Sequence, residues 1–362
     1  QASNSTCTAC GGGRYSSATG AGGSETCQAC SAGTSSDTTG ASSVSVCTLC
    51  AAGYSPWEGA GTCSACAGGK YSDVGSSACQ SCPSGKWAAT GSGSCTPCVA
   101  GKYSAVTGAS AESTCDSCAA GRYSSATGAT GADTCLACPS GQTSSAIGAS
   151  SASTCAACAE GTYSLHGIEA CSACTAGKYA PGGSGFCSTC QEGKYSQSGW
   201  GSCTVCAEGT ASSSGAGSCD DCIPGKYSAI GAGVCATCPV GTFSNVVARL
   251  SSCTLCPAGT CALSGRSSCT NCTAGLYSGA GAGSCSSCLA GSFSTEGSAD
   301  CTDCQSGTYS KSSAGSCTNC APGKFSGSAA ASCAACGRGS YSLEGSSTCP
   351  ECPVGTWSST TS

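Results

Sequence analysis

The chain has 362 residues, of which 43 are cysteine and 56 glycine, with 9% charged residues and a net charge of −5. That acidic balance excludes a nucleic-acid-binding face, which needs clustered Lys and Arg to meet phosphate. Four Phe, four Trp and no Met are too few for a sizeable apolar core, so covalent staples must replace burial.

The chain opens at Gln1 without a charged or apolar leader before Cys7, so it reads as a processed chain or as a piece of a longer array. Asn4-Ser5-Thr6 is an N-glycosylation acceptor, and Asn271-Cys272-Thr273 is a second. From Cys7 with Cys10 to Cys349 with Cys352 run 21 C-x2-C pairs, which hold 42 of the 43 cysteines. Of the 20 intervals between first cysteines, 14 are 16 residues, five are 20 and one is 18. A unit so short and so strictly periodic is a repeat that buries nothing alone. Residues 1–362 therefore read as a single continuous array, with no linker, domain boundary or run long enough to span a membrane.

The clearest copy runs from Cys66 to Cys82, C-A-G-G-K-Y-S-D-V-G-S-S-A-C-Q-S-C. Its first landmark is Gly69, the third residue after the second cysteine, and a glycine holds this place in all 21 copies from Gly13 to Gly355. That regularity predicts a positive φ or a close approach between layers. The aromatic two places on, present in 16 copies, reads as a cover for the disulfides and a stacking surface for neighbouring repeats. Nine of the 13 basic residues sit just before that aromatic site: Arg14, Lys70, Lys86, Lys102, Arg122, Lys178, Lys194, Lys226 and Lys324. Either the stems lie along the rings in solvent, or the column meets an acidic partner or glycan.

The hydroxyl after the aromatic recurs as Ser16, Ser72, Ser104, Ser124, Ser196, Ser228, Ser278, Ser310 and Ser342. On a slender rod this column is expected to be exposed and to carry O-linked sugar, or else to bond the local turn. No helical period exists anywhere, so the elements are turns and very short strands.

Chemistry reads sparsely. C-x2-C followed by C-x2-C has zinc-ribbon spacing, but 21 thiolate pairs in a hydroxyl-rich chain fit disulfides better than metal, and no βαβ context supports a redox pair. His166 is the one histidine and reads as an exposed loop residue. No catalytic, cofactor-binding or metal-binding residue is assigned, and the chain is not expected to be an enzyme. One place breaks the pattern. Cys261 stands at an aromatic site, just after the lone 18-residue interval with its apolar run Asn245-Val246-Val247-Ala248-Arg249-Leu250. With an odd cysteine count it is the candidate for an unpaired or intermolecular thiol.

The string C-x-x-G-x-Y-S closed by C-x2-C resembles the ephrin-receptor-like cysteine-rich repeats, and its loop is similar to the first loop of tumour-necrosis-factor-receptor cysteine-rich modules. The resemblance covers essentially the whole chain. It implies that the cysteine before each C-x-x-G motif pairs with the first cysteine after the loop: Cys10 with Cys27, Cys30 with Cys47, Cys50 with Cys63, Cys66 with Cys79, and so on to Cys336 with Cys349. Receptor modules alternate with a second, double-disulfide module that this chain lacks. Long uniform arrays of this kind are similar to those of large algal and protist surface or flagellar-hair-like filament proteins.

The expected fold is an elongated, rod-like solenoid of small disulfide-rich β-hairpin and turn layers without a large hydrophobic core. The expected role is that of a secreted structural glycoprotein in a filament, appendage or surface coat, partnered by its own copies or other filament proteins. A receptor or adhesin ectodomain presenting a binding face is the alternative, and an ice-binding solenoid a weaker one.

Overall fold

The computed structural model describes residues 6–167, 170–247 and 252–358. Each repeat is built outward from its first glycine. In the copy from Cys66, the N–H of Lys70 donates to the Ala67 carbonyl (3.0 Å), closing a β-turn whose third residue, Gly69, has φ +85°. A turn of this kind needs positive φ there, and glycine adopts it at no steric cost. The strand Lys70–Tyr71 leaves the turn and pairs antiparallel with Gln80–Ser81, Tyr71 opposite Gln80. The second strand is thus the x2 of a C-x2-C pair, so the two residues that separate successive loops also close a hairpin. All 21 first glycines have positive φ.

Among the described residues the longer loops carry an element that the short ones lack. Just before the closing cysteine each of the five 20-residue repeats folds a single 3-10 turn: Ser24–Thr26, Val44–Val46, Glu112–Thr114, Ala132–Thr134 and Ala152–Thr154. Ser43 and Ser151 cap two of these, accepting from the amides of Ser45 and Ser153. Three residues are too few to show a period, which is why the sequence reads only as turns and strands.

The layers fall into two compact units. One comprises residues 1–173 with 180–187, and the other 174–179 with 188–362. In the first, the Gly69 amide donates to the Ala88 carbonyl of the next layer (2.8 Å), the Ala88 amide to the Ala109 carbonyl of the layer after that (3.0 Å), and the Gly91 amide back to the Cys66 carbonyl (2.9 Å). Trp87 forms a parallel bridge with Ala109. The second unit repeats the scheme: Gly193 to Ser212, Ser212 to Ala232, and Gly215 back to Cys190.

Contact does not stop at the nearest layer. A Cβ on Gly69 would run into the backbone carbonyl of Gly108, two layers on, and one on Gly193 would meet that of Gly231 in the same way. Repeat solenoids ordinarily touch only adjacent units; here the bare first glycine lets every third layer meet as well.

What is buried is small. The fully buried side chains are the second cysteines of the pairs, Cys30, Cys50, Cys66, Cys82 and their successors, with Ala and Ser around them, while Trp57, Leu289 and Ile147 stand in solvent. Among the described residues the interior of each unit is sulfur, methyl and hydroxyl, and no large hydrophobic core forms.

Candidate functional site

The sulfur ladder is the chemistry of this chain. Cys10 is bonded to Cys27, Cys30 to Cys47, Cys50 to Cys63, Cys66 to Cys79 and Cys336 to Cys349. The bonds from Cys82 with Cys95 to Cys158 with Cys171, and from Cys190 with Cys203 to Cys320 with Cys333, keep the same scheme. Each joins a second cysteine to the first cysteine after the loop, with Cα separations such as 5.6 Å for Cys66 and Cys79. Cys174 and Cys187 are disulfide-bonded too. The sulfurs joined in these bonds are oxidised and are not thiolates, the form in which cysteine binds zinc. No bond closes within a C-x2-C pair among the described residues, because the two residues between the cysteines are a strand.

Residues 109–155 and 225–264 match the sequence profile of the family described as tyrosine-protein kinase ephrin type A/B receptor-like. Both stretches hold the glycine turn, the hairpin and the loop disulfide just described. These two stretches are similar to ephrin-receptor-like cysteine-rich repeats, and the other layers repeat their pattern. No curated protein sequence matches it. Its dense disulfides belong to an oxidising, extracellular or cell-surface setting, and among the described residues no helix is long and apolar enough to cross a membrane.

Within the array the hydroxyl column lies elsewhere than expected. Ser72, Ser104, Ser124, Ser196, Ser228, Ser278, Ser310 and Ser342 are all buried, none more than 6% exposed, and Ser16 is half-buried. In short loops the hydroxyl points to the previous layer. Ser72 Oγ donates to the Tyr54 carbonyl at 3.0 Å, Ser196 to Lys178 at 3.0 Å and Ser342 to Lys324 at 2.8 Å. In long loops it caps its own turn, as Ser104 does by accepting from the Val106 amide (3.3 Å) and Ser16 from Ala18 (3.4 Å). The expectation that this column is exposed is therefore overturned: apart from half-buried Ser16, these oxygens face the interior, beside the buried sulfurs, with Cys66 Sγ 3.4 Å from Ser72 Oγ. A readable signal existed, since this place holds Ser, Ala or Pro56 in all 21 copies and never a larger side chain.

The basic column stays outside, exposed or half-buried. Arg14 and Arg122 reach forward and donate to the carbonyls of the closing cysteines Cys27 (3.0 Å) and Cys135 (2.9 Å). Lys102 pairs with Glu112 at 3.2 Å. No ring of one repeat stacks on a ring of another among the described residues. The one ring pair among the described residues, Tyr195 with Trp200 (centroids 5.6 Å apart), lies inside a single loop.

The aromatic site has a defined view nonetheless. Where it holds a short polar residue, that residue's γ atom lies against the closing sulfur of the next loop: Ser35 Oγ is 3.0 Å from Cys63 Sγ, and Ser55 Oγ is 3.1 Å from Cys79 Sγ. Cys261 occupies the same site as a free, half-buried thiol, with its Sγ 3.4 Å from Cys285 Sγ. Cys7 and Cys352 are free as well. His166 is exposed in a turn and Asn271 is exposed on its hairpin strand. Asn4 lies outside the described residues, as do Ala248, Arg249 and Leu250 of the apolar run.

Proposed function

We propose that this chain is an extracellular structural protein whose stapled layers serve in a filament, appendage or surface coat. The observation that supports this reading most directly is the path of covalent bonds. In a 16-residue repeat the disulfide spans a separation of 13 residues, so only the three peptide steps of a C-x2-C link one closed loop to the next. Tension passes through sulfur and two-residue strands rather than through the loops, and the layer-to-layer hydrogen bonds hold the loops in register. A polymer built this way resists extension.

The same reading takes self-association or other filament proteins as partners, and N-linked glycan on Asn271, whose side chain is exposed. The receptor-like wording of the matched family and the outward Lys and Arg column support the second reading, an ectodomain that offers a binding face to an acidic ligand. Antibody labelling of the native cell surface in electron micrographs separates the two. Label repeated along fibres or through a coat is expected; label confined to dispersed single molecules that are recruited by a ligand would replace the structural reading with the receptor one.

A further inference from the structure

Among the described residues, Cys261 is the one free thiol held between layers, and its neighbours make a site of three sulfurs. Its backbone is fixed on both sides, by antiparallel pairing with Thr270 in its own hairpin and by a parallel bridge to Ala282 of the next layer. This aims the side chain at the disulfide that closes that next layer, Cys272 with Cys285. The aim is a property of the repeat and not of one cysteine, because Ser35 and Ser55 at the equivalent place touch the equivalent sulfur. At 3.4 Å the two sulfurs are already in contact.

We infer that Cys261, Cys285 and Cys272 form an intramolecular thiol–disulfide exchange site. The Cys261 thiol gives its proton to water and the thiolate attacks Cys285 Sγ. A Cys261–Cys285 bond forms, the Cys272–Cys285 bond breaks, and the electron pair leaves on Cys272, which takes a proton from water. One disulfide and one thiol are present before and after, so no oxidant or reductant is needed. The leaving sulfur is provided for. Cys272 is buried, its Sγ lies 3.3 Å from Ser278 Oγ, and the Ser278 proton is already engaged with the Thr260 carbonyl at 2.9 Å. The new Cys272 S–H therefore meets a free lone pair. Its backbone stays anchored, the amide on Gly259 and the carbonyl accepting from Gly297, each at 2.9 Å.

Exchange moves a staple from within one layer to between two. The loop closed by Cys272 opens, and the loop that starts at Cys256 becomes covalently tied to its successor. This goes beyond the structural reading and does not depend on it.

The test is a disulfide map. The secreted, oxidised chain is held at pH 8 without added thiol, quenched in acid, unfolded, labelled with a maleimide and digested unreduced for mass spectrometry. Peptides joined through Cys261 and Cys285, together with label on Cys272, are expected, and both are lost in Cys261→Ser. That variant is compatible with the fold, since serine already fills the site at Ser35 and Ser55. Label on Cys261 but not on Cys272, with Cys272 wholly joined to Cys285, would overturn the inference, as would equal labelling of Cys272 in the Cys261→Ser chain; Cys7 and Cys352, free in both chains, are labelled throughout.

Discussion

The backbone carbonyl of Gly108 closes the space in which Gly69 would carry a Cβ. Gly339 has a similar positive φ, +80°, with no described residue within 4 Å of its Cβ position. The left-handed conformation is thus set by the local turn, and layer stacking makes use of the bare atom. Alanine separates the two effects. At Gly339 it adds only left-handed strain of about 1–2 kcal/mol, whereas at Gly69 it adds a backbone collision worth roughly 1–3 kcal/mol more. Amide hydrogen exchange resolved by layer checks this: Gly69→Ala loosens its own layer and the one closed by Cys98 and Cys115, while Gly339→Ala acts locally.

At two second turns a residue other than glycine takes positive φ among the described residues. Ser313 and Ala329 take φ of 60° and 54° where most copies place a glycine. Ala→Gly ordinarily destabilises by about 0.5–1 kcal/mol through the unfolded chain. At Ala329 relief of left-handed strain, about 1–2 kcal/mol, outweighs it. Ala329→Gly is therefore expected to raise local stability, read as slower exchange of the amide at position 329, which donates to the Cys304 carbonyl at 2.8 Å.

Burial of the hydroxyl column predicts where sugar is absent. Glycopeptide mapping of the secreted chain is expected to find Ser72, Ser104, Ser196, Ser228 and Ser310 unmodified, because each Oγ faces the interior. Sugar on Ser196 would mean that the layers open widely enough to admit a transferase.

Pulling the chain by its ends tests the covalent path. With disulfides intact, each 16-residue repeat extends to about 16 Å, from three peptide steps and one disulfide span; reduced, it extends to about 55 Å. Single-molecule force spectroscopy reads the two contour lengths directly.

The view from the aromatic site can be transplanted. Ser55→Cys places a thiol where Ser55 Oγ now meets Cys79 Sγ, and the same disulfide map is expected to show the introduced sulfur at position 55 joined to Cys79 with Cys66 released. A variant that keeps Cys66 on Cys79 throughout would show that facing the closing sulfur is insufficient for exchange.

Much of this is legible in the sequence. The constant spacing carries the repeat, the glycine column carries the turn, and the C-x-x-G-x-Y-S resemblance carries the pairing of Cys66 with Cys79. Ser72 misleads because a hydroxyl in a chain of slender layers reads as solvent-facing, and its acceptor, the Tyr54 carbonyl, comes from another repeat, 18 residues back. The five 3-10 turns leave no trace beyond four extra residues. The contact between Gly69 and Gly108 joins layers that are not neighbours in sequence, and a pattern within one repeat carries no information about the second repeat along. The odd count at Cys261 marks a place but not its target, since Cys285 is identified only by the bridge between Cys261 and Ala282.

Because each loop is closed on itself by one disulfide, a protease that cuts between Cys66 and Cys79 leaves two ends still joined through sulfur. Severing this region requires a cut in the two-residue strand between paired cysteines, such as Gln80–Ser81, where the backbone is held in a hairpin against Lys70–Tyr71 and cannot readily extend into an active-site cleft. Most peptide bonds of the chain can thus be broken singly without dividing it, so that wear in a digestive environment accumulates as nicks and not as loss of length.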